Sequence, residues 1–379
     1  MPTTGDFSLY FHVPFCTKKC SYCHFFVLKD NQVAHQTLLE GIKLEFQRLI
    51  PLMRGKNLLS IYFGGGTPAL IGPQGISTLL ELVASEISFD HKTEITLEAN
   101  PENVSLPLMK GFADVGVNRV SLGVQTFDDL LLKKLGRTHD SERAKRAVLE
   151  TFEAGIVNLS IDLMYDLPQQ SVRSWENTLD DAAKLPITHL SLYNLTIEPK
   201  TLFARQKETL LNLLPSPEES LEMYVMAKAK LEAAGISQYE ISAFAKKGFF
   251  SQHNTGYWLG RPFLGLGPSA FSFWGGKRHQ NVCHLTKYAN ALKLGQSPVD
   301  FVDELPFEKR RRELFAIAMR LKQGVVLKAF EARFGNLGDE VRETLSELTK
   351  QGLIFQNDDR LCLTDKGVLF YDTFASEVI

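Results

Sequence analysis

Over the first two thirds of the chain, short apolar runs alternate with longer amphipathic ones. The runs SLYFHV (8–13), LSIYFGG (59–65), EITLEA (94–99), RVSLGVQ (119–125), LSIDLMY (159–165) and HLSLYNLT (189–196) each predict a strand. They are rich in Val, Ile, Leu, Tyr or Thr and end near polar, Gly or Pro punctuation. Between them, residues 35–50, 75–87, 141–155 and 174–185 carry helical periodicity, with Asp140-Ser141 and Ser174 as N-caps and Gly155 as a C-cap. Such alternation predicts parallel strands with helical crossovers. Six units predict an α/β fold, a partial (β/α)6 TIM-like barrel.

After residue 300 the pattern changes. Residues 308–324, 326–335 and 337–352 read as three short amphipathic helices, 353–367 as two strands around a turn, and 368–378 as a last helix. This predicts a small winged-helix-like α+β domain over 301–379. The barrel core is expected over 1–245 and a connecting segment over 246–300.

Charge narrows the partners. Forty-two basic and 44 acidic side chains leave a formal charge of −2. Residues 301–379 carry 12 Lys and Arg against 14 Asp and Glu. A nucleic-acid-binding module should be basic, so the C-terminal domain reads as a packing or partner-binding unit. No apolar run is long enough to span a bilayer. The N-terminus lacks a positive region and a small-residue cleavage site, which predicts no secretory signal. Five cysteines, three clustered and two isolated, make a poor disulfide framework. Reduced thiols in the cytoplasm fit better.

The polar residues gather at the C-terminal ends of the expected strands, the edge that builds the active site of a βα barrel. FHVPFCTKKCSYCHFF (11–26) places Cys16, Cys20 and Cys23 in one loop as C-x3-C-x2-C, with Lys18 and Lys19 between the first two. A zinc site needs four ligands, which His12 or His24 could complete. An iron–sulfur cluster normally takes four thiolates, so three leave one iron open. Lysines nearby would help hold thiolates ionised. GGGTP (64–68) follows the second strand, and its glycines permit backbone to approach a ligand. It matches neither the P-loop nor the dinucleotide fingerprint.

C-x3-C-x2-C after a strand, with Tyr22 before the last cysteine, resembles the signature of radical S-adenosylmethionine (SAM) enzymes. The resemblance implies a 4Fe–4S cluster on Cys16, Cys20 and Cys23, with SAM chelating the open iron and the glycine-rich segment against its amino group. YFHVPFC, YFGGGTP, LEANP, SLGVQTF, LGRTH, IDLMYDLP, LTIEP and QYEISAFAK narrow it to the coproporphyrinogen dehydrogenase-like group, over essentially the whole chain. That group contains the oxygen-independent coproporphyrinogen oxidase HemN and the heme chaperones termed HemW. By this similarity Tyr10, Tyr22, Gly65, Gly66, Thr67, Glu98, Gln125, Arg137 and Asp162 would line SAM sites. Arg137 suits the methionine carboxylate, and Asp162 and Gln125 suit hydroxyls.

Two departures separate the chain from the oxidases. Their pattern requires a fourth cysteine where Phe25 stands, and only 15 residues precede Cys16. Further on, HNTGYW (253–258) resembles the HN-x2-YW feature of the heme chaperones. It implies heme as ligand, with His253 as an axial imidazole and Tyr257 and Trp258 against the macrocycle. The expectation is therefore a cytoplasmic chaperone that passes heme to apo-haemoproteins, respiratory ones included. Oxidative decarboxylation of coproporphyrinogen is the alternative, and a cluster bridging two chains would make a homodimer. Cys283 and Cys362 read as structural, since no C-x-x-C-H supports covalent heme attachment.

Overall fold

The computed structural model describes residues 5–379. Six parallel strands form on the expected runs: β1 (Asp6–Val13), β2 (Asn57–Gly65), β3 (Glu94–Ala99), β4 (Arg119–Gln125), β5 (Asn158–Tyr165) and β6 (His189–Asn194). They pair in chain order from β1 to β6. β6 then takes β8 (Ala243–Ala245) antiparallel, and β8 takes β7 (Ser237–Glu240).

The free edge of β1 gains a seventh parallel strand, β9 (Phe263–Leu266). Beyond it lie antiparallel β10 (Phe271–Trp274), β11 (Lys277–Asn281) and β12 (Val299–Asp303). Residues 246–300 are therefore more than a connection; they extend the barrel sheet to twelve strands. These added strands are four or five residues long, and β11 reads KRHQN. Their stability comes from pairing, β9 on β1 and each further strand on the one before it, which no local pattern reports.

The pleat sorts the barrel strands into two faces. Leu9, Phe11, Ile61, Phe63, Ile95, Leu97, Val120, Leu122, Leu159, Ile161, Leu190 and Leu192 are buried in one cluster with Ile42, Phe46, Leu79, Val148 and Trp175 of the surrounding helices. The intervening positions face the lumen and are polar. They bond sideways: Ser60 Oγ donates to Ser8 Oγ at 2.9 Å, Ser121 Oγ to Asp162 Oδ1 at 3.1 Å, and Ser160 Oγ lies 2.8 Å from His189 Nδ1.

Capping follows the sequence in part. Asp140 accepts from the Arg143 N–H at 2.7 Å, and Gly155, at φ +93°, follows the end of the helix Ser141–Glu153. The helix Val172–Ala183 is capped by Ser171 rather than Ser174. Ser174 sits inside the first turn, where its N–H donates to Ser171 Oγ and its hydroxyl donates to Asp128.

The C-terminal residues carry their own core, including Phe315, Met319, Phe330, Val341, Leu348 and Phe374. The helices Phe307–Ala318, Leu327–Phe334 and Asp339–Lys350 precede a hairpin of β14 (Ile354–Asn357) and β15 (Arg360–Leu363). A short strand, β13 (Val325–Val326), joins β15, and the last helix is split into Asp365–Leu369 and Tyr371–Val378. The arrangement is winged-helix-like. Arg320 ties this module to the barrel, stacking over Trp258 at 4.3 Å and pairing with Glu240. Among the described residues no helix is long and apolar enough to cross a membrane.

Trp175 is the largest fully buried side chain, and its indole N–H donates to the Met223 carbonyl at 2.8 Å. Trp175→Ala is expected to lower stability by about 3–5 kcal/mol. Denaturant unfolding of the metal-free chain measures this, and a loss below ~1 kcal/mol would contradict the packing described.

Candidate functional site: a cysteine loop over the strand ends

β1 ends at Val13 and the chain turns through Pro14 into the cysteine loop. Phe15–Cys16 pairs with Leu28–Lys29, which closes the loop at its base. The Ser21 N–H donates to the Leu135 carbonyl at 3.0 Å, and the Phe203 N–H donates to the Ser21 carbonyl at 3.0 Å, so the tip is tied to both neighbours. Cys16, Cys20 and Cys23 line one cavity of about 400 Å³. Tyr22, Gly65, Gly66, Glu98, Gln125, Arg137 and Asp162 line the same cavity. Among the described residues no three His, Cys, Asp or Glu side chains close on a single ion position. A cluster bound through one thiolate per iron does not require that.

Burial pushes the Cys16 thiol up to about 11, against the opposing hydrogen bond from Thr67. Burial also raises Cys23, while the Lys19 charge pulls it down. Lysine assistance to the thiolates thus acts at Cys23 and is outweighed by desolvation. Loading metal on these thiols must release their protons.

The glycine-rich turn runs beneath the loop. The Gly66 N–H donates to the Val13 carbonyl at 2.9 Å and the Thr67 N–H to the Phe15 carbonyl at 2.6 Å. A Cβ on Gly66 would stand 2.5 Å from the Phe15 oxygen, so only glycine permits this approach. Thr67 lies behind the cavity wall, 3.6 Å from Cys16 Sγ, and accepts from Asn100 Nδ2 at 2.9 Å.

Asn100 in turn accepts from Arg137 Nη2 at 2.7 Å, and the Gly123 carbonyl takes the same nitrogen at 2.6 Å. Arg137 Nη1 reaches Cys20 Sγ at 3.4 Å. Arg137 Nε is buried without a partner among the described residues. It is a donor already desolvated, on a residue that lines the cavity. Sequence reasoning missed Asn100, though it directly follows β3, two residues after Glu98, and the strand-end rule would have found it.

Glu98 accepts from the Tyr62 hydroxyl at 2.8 Å and the Gly65 N–H at 3.1 Å, yet burial pushes its carboxyl up to about 7. Burial likewise raises Asp162, opposed by the Ser191 and Ser121 hydroxyls. Gln125 holds φ at +67°, where the β4–β5 register shifts. A left-handed glutamine at a strand end is backbone strain of the kind that collects at ligand sites. Three thiols, a glycine cradle, an orphan guanidinium donor and two high-pKa carboxyls fit an iron–sulfur cluster with SAM.

Two expected residues lie elsewhere. Tyr10 does not line this cavity; its hydroxyl is 3.1 Å from His12 Nδ1, and the ring lines a second cavity of about 750 Å³. His253 sits on the helix Gln252–Trp258, fully buried under the barrel. Its N–H donates to Glu94 at 2.9 Å, Nδ1 lies 2.9 Å from Ser60 Oγ, and Nε2 lies 2.7 Å from the Tyr257 hydroxyl. Burial pushes its imidazole down to about 3. Both ring nitrogens are engaged in the lumen, so this conformation offers neither to an iron. Tyr257 and Trp258, from the same motif, do line the second cavity.

The raised Glu98 carboxyl has a signed consequence. The folded chain keeps that proton up to about 7, whereas an unfolded glutamate releases it near about 4.3. Between those values the folded state binds more protons, so this group makes stability fall as pH rises through the window. Infrared difference spectra of the metal-free chain against Glu98→Gln are expected to retain a protonated carboxyl band to pH near 7. Complete ionisation by pH 5 would contradict the burial argument.

The comparisons with known proteins agree with this geometry. The Radical SAM superfamily profile matches residues 10–182, and the HemN C-terminal domain profile matches residues 305–370. The chain is 33% identical over 366 residues to the heme chaperone HemW of Bacillus subtilis (strain 168), covering 96% of each. It is 34% identical over 374 residues to the HemW of Escherichia coli (strain K12), covering 97% of this chain and 96% of that one. Among solved structures, coproporphyrinogen III oxidase (HemN) from Escherichia coli matches with a TM-score of 0.85 at 25% identity, over 98% of this chain and 89% of that one. With near-full-length HemW relatives at this identity, and the cysteine loop seated over the strand ends, the chain belongs to the HemW family of the radical SAM superfamily.

Proposed function

We propose that this protein is a cytoplasmic heme chaperone: it binds heme beside a SAM-liganded 4Fe–4S cluster and delivers it to apo-haemoproteins, respiratory ones among them. The observation that carries this reading is the second cavity. Its volume of about 750 Å³ is walled by Tyr257, Trp258, Phe25, Phe26, Phe263, Phe271 and Phe273, with Leu314 and Ile317 from the C-terminal module. Flat apolar walls of this extent suit a macrocycle. Lys19 and Lys200 line it as well, and Lys200 makes no ion pair among the described residues. Two cations at the wall suit the two propionates. Arg278 also lines the cavity but is already held by Asp303 and Glu313.

In the neighbouring cavity Cys16, Cys20 and Cys23 would hold the cluster. Arg137 Nε is the donor left for the methionine carboxylate of SAM, with Glu98 and the Gly65–Gly66 backbone for its ammonium and Asp162 and Gln125 for its ribose. When bound, the pair supplies one-electron reduction at the sulfonium. Arg137 orients the loop by holding Cys20, Asn100 and the Gly123 carbonyl together. Phe25, 53% exposed, presents an aromatic face where an oxidase would carry a thiol.

The second reading is coproporphyrinogen oxidation. The likeness to HemN over 98% of the chain favours it, and a tetrapyrrole suits the same cavity. Anaerobically reconstituted protein is expected to bind hemin with a saturable Soret change and to leave coproporphyrinogen unchanged in the presence of SAM and a reductant. Turnover to protoporphyrinogen would overturn the chaperone reading. Cys16→Ala is expected to lose cluster iron, labile sulfide and the reduced-cluster EPR signal; retention of all three would overturn the ligand assignment.

A further inference from the structure

Three imidazoles lie at or near the apolar cavity, and they differ in what their nitrogens already do. His253 is engaged through both, as described above. His12 is 4% exposed, with Nδ1 3.1 Å from the Tyr10 hydroxyl and Nε2 3.3 Å from the Phe26 carbonyl. His24 is different. It is exposed, it lines the cavity, and neither ring nitrogen has a hydrogen-bond partner among the described residues. Its ring stacks on Phe25 with centroids 4.6 Å apart.

We propose that His24 is the axial ligand of the heme iron in this cavity. The inference rests on the reading that the chain binds heme there, and assigns the iron contact to the cysteine loop instead of the HNTGYW helix. An accessible imidazole without competing bonds ligates ferric heme without breaking anything. Using His253, which is fully buried, would require opening one of its ring bonds, to Tyr257 through Nε2 or to Ser60 through Nδ1. Stacking on Phe25 holds the His24 ring at the aromatic wall, and Lys19 stands in the same loop for a propionate, its Nζ 3.2 Å from the Phe25 carbonyl. Lys19, His24 and Phe25 also line the cysteine cavity, so the ligand would come from the partition between the two chambers.

The test is hemin titration of wild type and His24→Ala, each anaerobically reconstituted, with cluster iron and sulfide measured in both. Wild type is expected to give the absorption and EPR signature of imidazole-ligated ferric heme. His24→Ala is expected to lose that signature, to bind hemin at least about tenfold more weakly, and to regain the signature with added free imidazole while keeping its cluster. An unchanged spectrum and affinity in His24→Ala, or a signature that moves with Cys283→Ser instead, would overturn the assignment while leaving heme binding intact. Absence of hemin binding by wild type would remove the underlying reading, and the ligand with it.

Discussion

Successive side chains on a β-strand face opposite ways, and in this barrel that single constraint separates structure from chemistry. Parallel strands covered by helices are usually apolar on both faces. Here only the outward face is. The inward face carries Ser8, Ser60, Thr96, Ser121, Ser160 and His189, all buried. A buried polar lumen is stable only if its groups find partners. Most find them sideways, strand to strand, as Ser60 does with Ser8 and Ser160 with His189, while Thr96 Oγ1 has no partner among the described residues. The column then ends, at the C-terminal edge, in Glu98 and Asp162. There Glu98 is held by the Tyr62 hydroxyl and the Gly65 N–H, and Asp162 by the Ser121 hydroxyl.

The same constraint decides what was readable. β1 to β6 were visible because two or more outward apolar residues recur at alternate positions in each. β9 to β12 were not, because a four-residue strand such as FLGL, or KRHQN beside it, owes its conformation to the neighbour it pairs with. That Cys16, Cys20 and Cys23 share one cavity was legible because their close spacing in one loop is written in sequence. Asn100 was passed over, since its importance lies in bridging Thr67 and Arg137, residues 33 and 37 positions away. His253 was singled out by its motif, but the occupation of both its nitrogens depends on Ser60, 193 residues earlier. Tyr10 follows the same logic: its pleat position was legible, while the chamber its ring faces was not.

The electrostatics of the cofactor cavity run in one direction. Burial raises Cys16, Cys23, Glu98 and Asp162 together, favouring neutral side chains in the metal-free chain. The opposing charges are Lys19 at Cys23, Arg119 at Glu98 and Asp162, and Arg137, which acts on both thiols and on Asp162. On the proposed assignment, iron at the thiols and an ammonium at the carboxylates would supply positive charge. The site would then become ionic on loading, with desolvation making each new ion pair stronger than it would be in water.

The partition formed by Lys19, His24 and Phe25 belongs to both chambers, and shared ownership has a thermodynamic price. Three side chains on one short loop have one set of positions at a time. If an occupant of the first chamber biases those positions and thereby alters affinity in the second, the second alters affinity in the first by the same factor. Loading and release would then be two readings of one coupling free energy, with a wall three residues wide as its carrier.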